Sequence, residues 1–138
     1  MLSKFKVPLC MIFTLAMLSL YSANVHAQSK AWVAPNDAAS IKNPLAGNTG
    51  ILNDAKKLYI STCAPCHGTK GRGDGVAAAA LNPKPADHTS EAVQKQTDGA
   101  LFWMMSQGRN AMPQYKNVLT ETQRWELVDY IRTLARKK

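Results

Sequence analysis

The chain has 138 residues, with 17 lysines and arginines against 9 aspartates and glutamates, and 46% of it is apolar. That length supports one modest core and leaves no room for a second domain of ordinary size. The net charge of +8 favours acidic partners; the cations are scattered rather than gathered on one stripe, which argues against nucleic acid.

Lys4 and Lys6 precede an apolar stretch from Val7 to Tyr21, which ends in the small-residue exit Val25-His26-Ala27. That order reads as a secretory signal peptide over residues 1–27, cut after Ala27. The apolar run is short of the roughly 20 residues that a spanning helix needs, so no stable membrane span is expected after cleavage. Cys10 lies at the front of that run, the wrong end for a lipid-modified cleavage site, and leaves with the leader. Cleavage leaves 111 of the 138 residues, expected in the periplasm.

Residues 28–50 are rich in Ala, Asn, Pro and Gly and read as an irregular N-terminal arm. Trp32, Pro35 and Pro44 supply apolar and stiff positions through which it can lie against the rest. The remaining domain is assigned to residues 51–138. There, Asn53 or Asp54 can cap a helix through Ala55, Leu58 and Tyr59 toward Ser61. Four glycines and two prolines between Gly68 and Ala86 predict a loop, with room for one short turn at Ala77 to Ala80. Thr97 or Asp98 opens a second helix carrying Leu101, Phe102, Met104 and Met105, which Gly108 can close. Thr120 and Gln123 form the pattern of a capping box ahead of Leu127, Val128, Ile131 and Leu134. Arg136, Lys137 and Lys138 suit the C-terminal end of that last helix. No segment alternates apolar and polar residues for long and no repeat appears, so the fold class is all-α.

Residues 63–67 read Cys-Ala-Pro-Cys-His, the C-x-x-C-H pattern of c-type haem attachment. Two thiols three positions apart on a tight turn can each add to one haem vinyl group, and the adjoining imidazole then reaches the iron from one face. Three other uses of these residues compete. A thioredoxin-type dithiol needs a strand-to-helix setting, and no strand precedes Cys63. A structural zinc site needs four ligands, and after cleavage only two cysteines and two histidines remain. A plain disulfide leaves His67 unexplained. The expected cofactor is one haem c, attached through Cys63 and Cys66, with His67 on the iron.

Met112, in the loop Gly108-Arg109-Asn110-Ala111-Met112-Pro113, is the candidate second axial ligand, a thioether on a segment stiffened by Pro113. It can instead fill a gap in the core. Met104 and Met105, inside a helix, are rival ligands, and His88 would give two-histidine ligation. Trp125 and Tyr130 read as anchors of the last helix with Tyr59 packed beside them. Tyr115 can line the haem pocket or donate to a propionate. Trp103 is core or haem wall, and Arg109 and Asn110 reach either the haem edge or solvent.

These motifs occur in the order CHGxxGxGDG, then Leu81-Asn82-Pro83-Lys84-Pro85-Ala86-Asp87, then Asn110-Ala111-Met112-Pro113. In that order the chain resembles the class I c-type cytochromes, above all bacterial single-haem members, over about residues 51–135. The resemblance implies a cytochrome c-like fold of three to five short helices around one haem, with the first and last helices crossing. It implies that Met112 is the axial methionine and that a proline carbonyl, of Pro85 or Pro83, accepts a hydrogen bond from His67. Such a bond orients the ring and tunes its basicity.

The expected function is electron carriage by a His67/Met112 iron cycling between Fe(II) and Fe(III), as a free shuttle or as the cytochrome subunit of a respiratory oxidoreductase. Lys70, Lys84 and Lys116 would guide docking to redox partners with acidic surfaces. The alternative is a haem enzyme or gas sensor, such as a peroxidase, with an open iron position. In the subunit reading, residues 28–50 are the docking piece.

Overall fold

The computed structural model describes residues 32–136. The leader and its cleavage site after Ala27 lie outside the described residues. From Val33 onward the chain forms one compact unit. Its first element is a single turn, α1 (Asn36–Ala39), entered from Pro35. Proline at this point costs the helix nothing, since the first N–H groups of a helix have no internal partner.

A 3-10 turn, Thr49–Ile51, leads straight into α2 (Leu52–Thr62). The cap is therefore earlier than either residue expected from the sequence. The side chain of Asn48 accepts from the Gly50 N–H at 3.1 Å, so Asn53 and Asp54 fall inside the helix. There Asp54 pairs with Lys57 on the exposed face. A single residue, Cys63, separates α2 from the short α3 (Ala64–His67). A loop with one 3-10 turn at Ala78–Ala80 follows, then α4 (Glu91–Gln94) and α5 (Asp98–Gln107). Thr97 caps α5 by accepting from the Ala100 N–H, and Gly108 closes it at φ +63°. After a 3-10 turn at Tyr115–Asn117 comes α6 (Glu121–Thr133), opened by the Thr120–Gln123 capping box with both reciprocal bonds in place.

The expectation of an all-α fold holds, and no strand occurs among the described residues. Of the six α-helical segments among the described residues, three are ten residues or longer and three are single turns. α2 and α6 pack together through Ala55 and Tyr59 on one side and Leu127, Val128 and Ile131 on the other, where Tyr59, Leu127 and Val128 are fully buried. Burying one such side chain is worth about 1.5–3 kcal/mol, so this seam is the main anchor of the domain. The Tyr59 and Tyr130 rings meet at 5.0 Å. α5 joins through Leu101 and Met105 and through Phe102, whose ring stacks on Trp125 at 3.9 Å with the Arg124 guanidinium over it.

The arm is more regular than its composition suggested, and residues 36–45 are built into this core. Gly99, at the start of α5, has no side chain because a Cβ there would run into the carbonyl oxygens of Ala38 and Ile41. Thr97 Oγ1 donates to the Ala39 carbonyl at 2.6 Å. Asn43 Nδ2 reaches Asp129 at 2.7 Å and Asp98 at 3.3 Å, bridging α6 and α5.

Candidate functional site

Cys63, Cys66 and His67 sit on one tight turn, because the chain passes from α2 to α3 with hardly a break: Cys63 N–H donates to Tyr59, and His67 N–H donates to Cys63. The two cysteines are not joined in a disulfide. The loop behind the turn is laced to it by three backbone bonds, from Gly73 N–H to His67, Gly75 N–H to Cys66 and Ala77 N–H to Pro65. That approach is possible because residue 75 is glycine, where a Cβ would strike the carbonyl oxygens of Ala64 and Pro65.

Nδ1 of His67 lies 2.9 Å from the carbonyl oxygen of Ala86. A carbonyl only accepts, so Nδ1 carries the proton and Nε2 keeps its lone pair for a metal. This corrects the expectation that Pro85 or Pro83 accepts that bond. Pro85 immediately precedes Ala86, but the two carbonyls serve different neighbours. Its own oxygen faces Gly73, 2.5 Å from where a Cβ would stand, and the next carbonyl, that of Ala86, turns toward His67.

Burial lowers the pKa of His67, and the Ala86 bond offsets part of that effect. Burial also pushes the Cys63 thiol up to about 12, with Cys66 adding to the shift. Such a thiol is the opposite of the acidified one that drives dithiol exchange, which disfavours the thioredoxin-type use. Among the described residues no three His, Cys, Asp or Glu side chains converge to hold a bare metal ion, so the zinc reading gains no support.

His88 is buried against this turn. Its ring stacks on that of His67 with centroids 4.0 Å apart and planes at 19°, and its Nδ1 shares a 2.9 Å hydrogen bond with the Tyr59 hydroxyl. Burial, then the neighbouring His67, hold the pKa of His88 down to about 3. From the sequence His88 is a rival iron ligand and Tyr59 a packing residue. Nothing in their spacing of 29 positions signals that they meet.

Met112 lies in a tight turn closed by paired bonds between Arg109 and Met112, at 3.0 and 2.9 Å, with Asn110 at φ +53°. The Met112 side chain is half-buried against the core. Tyr115 anchors the following segment, donating from its hydroxyl to the Thr62 carbonyl at 3.1 Å beside Cys63. Burial raises its pKa to about 12, with the Cys63 and Cys66 thiols contributing. Met105 is core and Met104 half-buried on α5. Of the three docking lysines expected, Lys84 is tied to the Ala78 and Ala79 carbonyls and Lys116 to Gln107.

The donor set fits a covalently held haem: two cysteines on one turn, an imidazole with its metal-binding nitrogen available, and a methionine on a loop pinned by Tyr115 to the residue before Cys63. Fold and site together define a c-type cytochrome. Residues 51–131 match the family model described as cytochrome c oxidase, cbb3-type, subunit III, and the chain belongs to that family. It carries a c-type cytochrome domain, whose work is electron transfer.

Among solved structures it is similar to a chain of the Kuenenia stuttgartiensis reducing HAO-like protein complex Kustc0457/Kustc0458, with 27% identity and a TM-score of 0.58. The match covers 70% of this chain and 50% of that one, so this chain spans about half the length of its structural relative. No curated protein matches. No helix among the described residues is long and apolar enough to cross a membrane.

Proposed function

We propose that this chain is an exported electron carrier with a single haem, bound through Cys63 and Cys66, with its iron held by His67 and Met112, and that it works as the cytochrome subunit of an oxidoreductase complex. The observation that carries the reading is the hydrogen bond from His67 Nδ1 to the Ala86 carbonyl directly behind the paired thiols. It leaves one imidazole nitrogen free and orients the ring. The bound haem supplies the Fe(II)/Fe(III) couple.

Each residue then has a physical task. Cys63 and Cys66 tether the group, so that a small core suffices to keep it. His67 is a donor through Nε2, its Nδ1 proton held by the Ala86 carbonyl, and burial favours the neutral ring. The soft thioether of Met112 favours the reduced metal and raises the potential. Tyr115, bonded to Thr62, holds the Met112–Pro113 segment close to the attachment turn. His88 is unsuited to the second axial position, because its ring lies face to face with that of His67, whereas two imidazoles on opposite sides of one iron cannot stack. The same placement removes it as a distal acid or base, which weighs against the enzyme and sensor readings.

The family's description as an oxidase subunit and the similarity to a chain of a redox complex favour a subunit over a free shuttle. The leader over residues 1–27 supports export to the periplasm. Lys70, Arg72 and Arg136 line one surface recess, and with the net charge of +6 left after Lys4 and Lys6 depart with the leader they suit partners with acidic docking surfaces.

The test is the spectrum of the exported, matured protein. A haem stain that survives denaturation, lost in a double Cys63→Ala, Cys66→Ala variant, supports the attachment. A low-spin six-coordinate ferric spectrum that becomes high-spin in Met112→Ala supports the ligand pair. A five-coordinate wild type that binds carbon monoxide or cyanide at once would overturn it in favour of an open-site haem protein.

A further inference from the structure

The haem reading leaves His88 without a task, although its backbone and its ring are both tied to their surroundings. Its backbone N–H donates to the Gly71 carbonyl at 2.6 Å, and its carbonyl accepts from Gln94 Nε2 at 2.7 Å. The same Gln94 amide nitrogen reaches the Ile131 carbonyl at 2.9 Å. The residue is thereby tied to the loop after the attachment turn, to α4 and to α6. Its ring, 8% exposed, is held at Nδ1 by Tyr59, which is fully buried in the α2–α6 seam. The other constraint on that ring is the face of His67.

A hydrogen bond from His67 to the Ala86 carbonyl fixes the direction in which Nδ1 points. It holds the ring at that one edge. A parallel ring at 4.0 Å packs against its face and adds a second restraint on the plane, firmer when that ring is itself held. Phenylalanine at 88 could supply the flat face but not the bond, and would leave the Tyr59 hydroxyl buried without this partner. Histidine does both.

We propose that His88 is a positioning residue for the proximal ligand: its ring, anchored by Tyr59, sets the plane of the His67 imidazole. The inference rests on His67 being the iron ligand and goes beyond it. In low-spin ferric haem the plane of an axial imidazole directs the unpaired electron density. The plane is therefore read by the anisotropy of the electron paramagnetic resonance signal and by the spread of the haem methyl resonances.

The experiment uses the full chain, exported and matured with haem, in wild type, His88→Ala and His88→Phe. In the diamagnetic ferrous wild type, nuclear Overhauser contacts should link the two imidazole rings. His88→Ala should change the ferric anisotropy and the methyl pattern and shift the reduction potential. His88→Phe, which keeps a flat face, should recover most of the wild-type pattern while unfolding at a lower temperature. If His88→Ala does not accumulate, His88→Leu fills the space without a ring and carries the same two outcomes. A variant that is only less stable, with wild-type anisotropy and methyl shifts, overturns the proposal and makes His88 ordinary core. Wild-type protein that holds no covalent haem would instead overturn the functional reading and, with it, this inference.

Discussion

Gly75 shows how the attachment turn is held from behind. Its missing side chain lets the loop close on the carbonyls of Ala64 and Pro65, and any Cβ would force the two apart. Gly75→Val should cost more than about 2 kcal/mol, in the range of overpacking and lost backbone bonds. It should appear as a lower unfolding midpoint and less haem-stained product per unit of protein. Cys63, Cys66 and His67 were legible in the sequence because their chemistry is in their side chains. Ala86 was not, since it acts through a carbonyl that every residue has, and the carbonyl that meets His67 lies one position past the residue expected.

Helix boundaries were legible where a side chain makes the cap. Thr97 and the Thr120–Gln123 box do so, and α5 and α6 begin where the sequence put them. α2 was misplaced because Asn48 caps a 3-10 turn that runs into the helix without a break, and 3-10 turns leave no apolar period to read. Thr120→Ala removes the acceptor of the Gln123 N–H and should lower stability by about 1 kcal/mol, as other lost N-caps do. In thermal unfolding that corresponds to a drop of about 4 °C for a domain of this size. The haem spectrum should not change, since Thr120 is exposed and its cap bonds go to Gln123 within α6. The arm was the least legible element: its contacts with α5 and α6 come from small and polar residues more than 50 positions apart in sequence.

Across the whole molecule, charge acts in two ways. Asp87 accepts from the Thr89 hydroxyl and backbone N–H and pairs with Arg136, and these partners hold its carboxyl below the usual range. The folded chain therefore releases that proton at lower pH than the unfolded chain does. The stabilisation is complete above the unfolded value of about 3.9 and is lost as the pH falls through the folded one. Asp87→Asn should lower the unfolding midpoint at neutral pH, and the two curves should converge in acid. At longer range, the net charge of +6 that remains once Lys4 and Lys6 leave with the leader should make electron transfer to an acidic partner slow down as salt is added. Stopped-flow rates over a range of ionic strength would reveal it; a flat profile would mean that docking does not use this charge.

The bridge from Asn43 to Asp98 and Asp129 also bears on how the cytochrome unit could be moved into another protein. The family match begins at residue 51, and a graft cut there would carry the turn, the thiols and both long helices of the seam. It would also leave two carboxylates on α5 and α6 without the amide that spans them, and bare the backbone around Gly99. A transplantable module therefore starts upstream of Pro35, and its boundary is drawn by an asparagine side chain well outside the residues that define the family.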